Sequence, residues 1–324
     1  MKSIWIKTLV IALLMGPHLP ANADLRVFAC EPEWAALAEE VGGKLVKTSS
    51  ATNALQDPHY IEARPSLIAR MRKADLLICS GAQLEIGWLP MLLSKANNPR
   101  ILPGKEGFIE ASSLVRRLDV PETVDRAQGD MHPQGNPHVQ MNPHNITVIA
   151  KVLGARLAKL DPDNETAYRN QTKDFVARWE QAINHWETLA HQFRDKRVVC
   201  HHVSWVYLED WLHLTEVATL EPIPGVPPTA SHLSFLLSEL GTGGQGAEVI
   251  IRSPFQNKKA SEWLQKHTGI PAVMLPLTVG GSDGATDLFG LFDDILSRLN
   301  NAMGQVEMSA LFPDHHLSVA LPGS

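Results

Sequence analysis

Short apolar runs alternate with amphipathic helical patterns along the chain, and this alternation constrains its fold more than any other feature. In the first half, runs at 25–29, 44–48 and 76–79 are separated by helical patterns at 33–41 and 66–72. Strand, helix and strand in succession predict a parallel sheet, with ligand sites at the carboxyl ends of the strands. The alternation returns in the second half, where strands are expected at 197–200, 217–220, 248–251 and 272–275.

One segment breaks the alternation. Neither glycine nor proline occurs between Asn164 and Phe193, and apolar residues recur there at helical spacing. We therefore predict an α/β fold with two similar parallel-sheet lobes joined by one long rigid helix. The predicted division is a signal peptide over 1–23, an N-terminal lobe over 24–162, the linking helix over 163–194, a C-terminal lobe over 195–303, and a tail over 304–324 that has no periodic pattern and is expected to be disordered.

The first residues have the features of an export signal. Lys2 and Lys7 precede a short apolar run over 8–15, and small residues at Ala21 and Ala23 suit a signal peptidase. We expect cleavage after Ala23 and a periplasmic location. The rival reading is a lipoprotein, because residues 27–30 loosely resemble a lipobox, but they lie beyond the apolar run and inside the first expected strand.

The three cysteines are interpreted as buried strand residues. Cys30, Cys79 and Cys200 each lie at or just beyond the end of a short apolar run. An export compartment would permit a bridge between Cys30 and Cys79 if their strands were neighbours, and one cysteine would remain.

Composition excludes several classes of partner and site. The formal net charge is -6 and charged residues make up 20% of the chain, so there is no electrostatic footprint for nucleic acid or an anionic membrane surface. Three cysteines are too few for a four-cysteine zinc module, whereas 14 histidines are many for this length. A bound metal would therefore be held by imidazole.

Three histidines occupy positions where βα topology directs side chains into one crevice. His59 follows an expected strand and precedes a helix, His138 lies on a loop leading into a helix, and His202 follows the strand at 197–200. Pro58 and Pro137 immediately precede two of them and restrict the local backbone, which lowers the entropy lost on holding a side chain in place. The pattern predicts a three-histidine metal site.

The motifs around these histidines resemble those of the solute-binding proteins of zinc and manganese ABC importers, known as cluster A-I. The resemblance rests on Asp-Pro-His-Tyr at 57–60, Asn-Pro-His at 136–138, and His202 followed by Trp205 and Tyr207, together with the long helix. It implies two lobes with a metal between them and places His59, His138 and His202 on three ligand positions. His202 is chosen over His201 because only His202 has the Trp and Tyr at the family spacing.

The fourth ligand is left open by the sequence. Members of the family often add a carboxylate from the second lobe, but Ser253 and Leu275 stand where such residues would be expected. The alternatives are Glu62, His132, Asp283 or a water molecule.

Imidazole ligands favour zinc over manganese, which prefers carboxylate oxygen, and copper(I) would require Met or Cys beside the histidines. Zinc is therefore the expected metal. The resemblance implies a monomeric periplasmic carrier, not an enzyme, that binds Zn²⁺ as its transported ligand and delivers it to the membrane permease of an ABC importer. Mn²⁺ is the less favoured cargo. The alternatives are a secreted three-histidine zinc hydrolase with Glu62 as base, and an adhesin-like surface protein.

Overall fold

The computed structural model describes residues 24–123, 129–130, 132–243 and 246–304; the expected leader over 1–23 and the tail from 305 onward lie outside the described residues. Two four-stranded parallel sheets form the framework. The first has the order β2-β1-β3-β4 and the second the order β6-β5-β7-β8, so the two lobes share one topology. The strands are β1 (Leu25–Ala29), β2 (Val46–Ser50), β3 (Leu76–Cys79), β4 (Phe108–Glu110), β5 (Arg197–Cys200), β6 (Thr215–Thr219), β7 (Val249–Arg252) and β8 (Ala272–Met274).

Helices connect these strands and link the two lobes. Proline is among the first two helical residues of α1 to α4, where its missing N–H costs no hydrogen bond. The helices are α1 (Pro32–Gly42), α2 (Pro65–Arg72), α3 (Leu89–Ala96), α4 (Pro143–Leu160), α5 (Glu165–Ala190), α6 (Val206–Leu212), α7 (Ala230–Leu240), α8 (Lys259–Thr268) and α9 (Leu288–Ala302).

The two-lobed α/β fold with a long helix is confirmed, and α5 is that helix. It has 26 residues and is flanked by single 3-10 turns at Pro162–Asn164 and His191–Phe193, so its ends lie slightly inside the expected 163–194. A second long helix, α4, packs along it, which the alternation of the sequence did not predict. The helices approach closely at Gly154, where a Cβ atom would collide with Thr172.

One hydrophobic core runs through both lobes and the long helices. It includes Val27 of the first sheet, Val198 of the second, and aromatic side chains of α5 and α9. Trp186 lies with its ring centroid 5.0 Å from that of Trp179 and 4.9 Å from that of Phe292. Because both sheets share this core with α5, the lobes are joined by packing as well as by the chain.

The cysteines lie in strands or at their ends, as expected. Cys30 and Cys79 form a disulfide that joins the carboxyl ends of β1 and β3, and Cys200 is a buried free thiol. Within the described ranges, no helix is both long and apolar enough to cross a membrane.

Candidate metal centre

His59 lies on the loop that follows β2 and is held by its own motif. The Asp57 carboxylate accepts hydrogen bonds from the His59 backbone N–H at 3.0 Å and from ring Nδ1 at 2.7 Å. Because Nδ1 is engaged, Nε2 is the nitrogen left to bind a ligand. Burial alone would raise the pKa of Asp57, but the hydrogen bonds and charge of His59 outweigh it and lower that pKa.

His138 is the most deeply buried of the three predicted ligands. It is 2% exposed, and its Nε2 has no hydrogen-bond partner. Its loop is fixed to the C-terminal lobe, since the Asn136 side-chain amide donates to the Val203 carbonyl at 2.6 Å and the Tyr207 hydroxyl donates to the Asn136 carbonyl at 3.1 Å. An unpaired nitrogen in a buried position is costly unless a ligand occupies it.

His202 lies directly beyond β5 and is oriented by a carboxylate that we did not predict. The Glu221 side chain lies 2.7 Å from His202 Nδ1 and also accepts from the Gly225 backbone N–H at 2.8 Å. The neighbouring His201 Nε2 lies 4.0 Å from the same carboxylate. Because Glu221 is closer to His202 and contacts its Nδ1, the Nε2 of His202 is left for a ligand. The ring centroid of His59 is 5.8 Å from that of His202.

A fourth imidazole joins the three. His132 Nε2 lies 3.2 Å from His59 Nε2, and its Nδ1 lies 3.2 Å from the Ala82 carbonyl. The ring centroid of His59 is 5.3 Å from that of His132 and 6.1 Å from that of His138. Of the three protein candidates for the fourth position, His132 is the one that contacts a predicted ligand.

Two other protein candidates lie apart from this cluster. Glu62 and Asp283 are exposed, and neither lines the cavity beside the histidines. Ser253 and Leu275 are fully buried, and the Ser253 hydroxyl has no hydrogen-bond partner. The second lobe therefore contributes carboxylate through Glu221, which contacts a histidine.

The electrostatic environment keeps two of the imidazoles neutral. Burial, followed by the neighbouring His59, lowers the pKa of His132 to about 4. Burial, followed by His59, His202 and His132, also lowers the pKa of His138. Neutral imidazole is the form that donates a lone pair to a metal, so His132 and His138 are in the protonation state that a cation requires.

The spacing of one pair of ring nitrogens suits a small cation that prefers nitrogen ligands. Four ligands at about 2.05 Å in a tetrahedron lie about 3.3 Å apart, close to the 3.2 Å between the Nε2 atoms of His59 and His132. Within the described ranges, however, the ligand nitrogens of no three histidines all lie within 4.8 Å of one another. Coordination by all four would therefore draw at least two rings inward.

A cavity of about 710 Å³ opens beside the cluster and provides access to it. Its lining includes the polar residues His59, His202, Asp130 and Glu221 and the aromatic residues Phe255 and Trp263. The Tyr60 hydroxyl donates to Asp130 at 2.7 Å, and the Asp130 backbone N–H donates to the Pro224 carbonyl at 2.9 Å. Residues from both lobes therefore meet at the mouth of the site.

Away from the histidines, two groups in the described part of the chain bring three potential ligand atoms within 4.8 Å of one another. One consists of Cys30, Cys79 and Glu85, but its sulfur atoms are joined in the disulfide. The other consists of Cys200, Glu209 and Glu216, where burial raises the pKa of each carboxyl to about 7 and that of the thiol well above its usual value.

Comparison with known proteins gives consistent matches. The family model described as "ZnuA: Zinc-uptake complex component A periplasmic" matches residues 27–302. The "High-affinity zinc uptake system protein ZnuA" of Bacillus subtilis (strain 168) is 23% identical over 253 residues, which are 76% of each chain. The "Manganese ABC transporter substrate-binding lipoprotein scaA" of Streptococcus gordonii is 24% identical over 159 residues, about half of each chain at 48%.

A solved structure has the same architecture. The crystal structure of ZnuA matches with a TM-score of 0.70 at 21% identity, covering 85% of this chain and 99% of that one. At this identity the likeness shows the fold and not the choice of metal.

Proposed function

The chain belongs to the family of ZnuA, the periplasmic component of zinc-uptake complexes, and we propose that it captures Zn²⁺ between its lobes and delivers it to the permease of an ABC importer. The observation that carries this proposal is the convergence of four imidazoles. His59 is in contact with His132, and its ring lies within about 6 Å of those of His138 and His202. We place the protein in the periplasm, as a monomer.

The ligand set supports zinc over manganese. All four groups offer nitrogen, and the nearby carboxylates of Asp57 and Glu221 contact ring nitrogens of the histidines. Carboxylates in that position fix the ring orientation and strengthen the imidazole as a donor. Manganese favours oxygen ligands, so direct coordination by imidazoles alone suits it poorly.

Four protein ligands favour a transport role for the zinc over a catalytic one. Catalytic zinc keeps a coordination position for water or substrate, usually beside three protein ligands. His132 would fill that position and complete a tetrahedron with His59, His138 and His202. We therefore propose a binding protein in which the metal is cargo.

The test is metal binding followed by uptake. Untagged protein stripped of metal should bind one Zn²⁺ per chain and prefer Zn²⁺ to Mn²⁺ in direct competition. Cells lacking the protein and any second zinc importer should grow poorly only when zinc is scarce. Tighter binding of Mn²⁺ would refute the zinc assignment, and normal zinc uptake in such cells would refute the transport function.

A further inference from the structure

The segment 81–88 follows β3 and contains the described chain's most unusual run of backbone. Gly81, Ala82 and Gln83 have positive φ angles of 79°, 49° and 70° in succession. The Leu84 backbone N–H donates to the Gly81 carbonyl at 3.0 Å, so Ala82 and Gln83 are the central residues of a tight turn. Turns with positive φ at both central residues are dominated by Gly, Asn and Asp, so Ala and Gln occupy these positions at a cost.

The segment 81–88 contacts two of the four histidines, and the strained turn makes the contact to His132. The Ala82 carbonyl lies 3.2 Å from His132 Nδ1. At the other end of the segment, the Trp88 indole donates to the Pro58 carbonyl at 2.8 Å, and Gly87 packs against the carbonyl of His59. Strain that persists beside a site requires surrounding groups that enforce it.

Two glutamates hold the turn in place. Both carboxylate oxygens of Glu85 lie 3.2 Å from the Gly81 backbone nitrogen, and Glu85 is 3% exposed. Glu110 Oε1 accepts from the Ala82 N–H at 3.3 Å, and its side chain leaves no room for a Cβ at Gly81. The two consecutive amides of the strained run thus each donate to a carboxylate.

We propose that Glu85 and Glu110 are positioning residues for the metal site: they fix the turn whose Ala82 carbonyl orients His132 toward His59. This inference rests on the proposed coordination of zinc by His132. It predicts that the glutamates affect zinc affinity through His132 and through no other ligand.

A double-mutant cycle tests this pathway. Glu85→Leu removes the acceptor at similar volume and should weaken zinc binding on the order of ten-fold, whereas Glu85→Gln keeps an acceptor oxygen and should retain affinity. In the His132→Ala background, Glu85→Leu should weaken zinc binding by less than about two-fold, because Glu85 affects the metal only through the orientation of His132. Affinity is measured by competition with a chromophoric chelator, and Glu106→Ala, an exposed glutamate paired with Lys159, is the control.

A second readout reports on the ligand itself. The visible absorption of the Co²⁺-loaded protein should change in Glu85→Leu as it does in His132→Ala, while a loss of general stability would leave the spectrum of the folded protein unchanged. If Glu85→Leu does not fold, Glu110→Ala takes its place with the same expectation, since Glu110 is partly exposed.

The outcomes separate this inference from the proposed function. Equal losses from Glu85→Leu in both backgrounds, or no loss in the wild type, would overturn the positioning role and leave zinc carriage intact. Unchanged zinc affinity in His132→Ala would overturn both the positioning role and the four-histidine coordination. Failure of the wild type to bind zinc would overturn the proposed function itself.

Discussion

At the scale of single residues, the proposed ligands are arranged so that one nitrogen of each oriented ring accepts or donates a hydrogen bond and the other is left to bind a metal. Asp57, Glu221 and the Ala82 carbonyl each contact an Nδ1 atom. His138 differs, because it is fixed through its backbone and its surroundings while Nε2 stays unpaired. This difference makes His138 the proposed ligand whose removal is easiest to interpret.

We expect His138→Ala to lose most of the zinc-induced rise in thermal stability. Zinc stabilises the folded chain by mass action, and each ten-fold loss of affinity removes about 1.4 kcal/mol of that stabilisation at fixed zinc. Melting temperatures with and without excess zinc measure the effect, and His191→Ala, at an exposed position, is the control. Equal zinc-induced shifts in wild type and His138→Ala would remove His138 from the site.

Glu33 should lower stability as pH rises. Burial raises its pKa to about 7, although the Thr278 hydroxyl donates to it at 2.5 Å and partly offsets that rise. The unfolded chain ionises Glu33 near its ordinary value of 4.5 while the folded chain keeps the proton, so the free energy of unfolding falls between about pH 4.5 and 7. Below this range both states are protonated and the penalty disappears.

Glu33→Gln should therefore gain stability relative to the wild type at pH 8 and not at pH 4, by up to about 3 kcal/mol between the two. Urea unfolding at both pH values measures this. The control is Glu180→Gln, an exposed glutamate near Lys151. An identical difference at both pH values would show that Glu33 titrates normally in the folded protein.

At the scale of elements, the close packing of α4 on α5 should make a glycine-to-alanine substitution destabilising. Gly154→Ala in a helix interior ordinarily adds about 1 kcal/mol of stability. Here the new methyl group would collide with Thr172, so we expect a loss of roughly 1–3 kcal/mol.

Urea unfolding of Gly154→Ala checks this, and Thr172→Ala in the same chain should restore much of the loss, because the two residues are coupled by contact. Ala155→Ser, at an exposed position of α4, is the control. Stabilisation by Gly154→Ala alone would mean that the helices move apart without cost.

Local patterns predicted those elements whose signal is contained in a short segment. β1, β3 and β5 were predicted at their observed ends, and β2 and β6 within two residues, which is the usual uncertainty of strand ends. β4 has three residues and was not predicted. The pairing of α4 with α5 depends on contacts between distant residues, which periodicity does not encode.

The metal centre was also predicted only where the signal lies within a short segment of sequence. His59, His138 and His202 follow from strand-end positions and motifs, and their assignment as ligands remains a prediction. His132 stayed one alternative among four because its place depends on how a long loop returns to Ala82 and His59. Glu221 begins the Glu-Pro pair at 221–222 after a strand, a signal we did not connect with His202.

At the scale of the whole molecule, the shared core limits how far the lobes can separate. Both sheets pack with α5 and α9 in one hydrophobic cluster, and the His138 loop is hydrogen-bonded to Val203 and Tyr207 of the second lobe. Opening the lobes widely would break these contacts, so zinc release should depend on local rearrangement of loops.

Hydrogen exchange with and without zinc tests this view of the molecule. No three of the described histidines have their ligand nitrogens within 4.8 Å of one another, so binding should draw loops inward. Amide protection should rise at 132–138, 201–204 and 221–225, the segments that carry the histidines and Glu221. Amides in α5 and α9 should change little, because these helices lie in a closely packed core. The His138→Ala protein at the same zinc concentration is the control and should show much less added protection.

Zinc-dependent protection that spreads evenly through α5 and α9 would contradict a rigid connection between the lobes. It would indicate that the lobes move as rigid bodies when the metal binds.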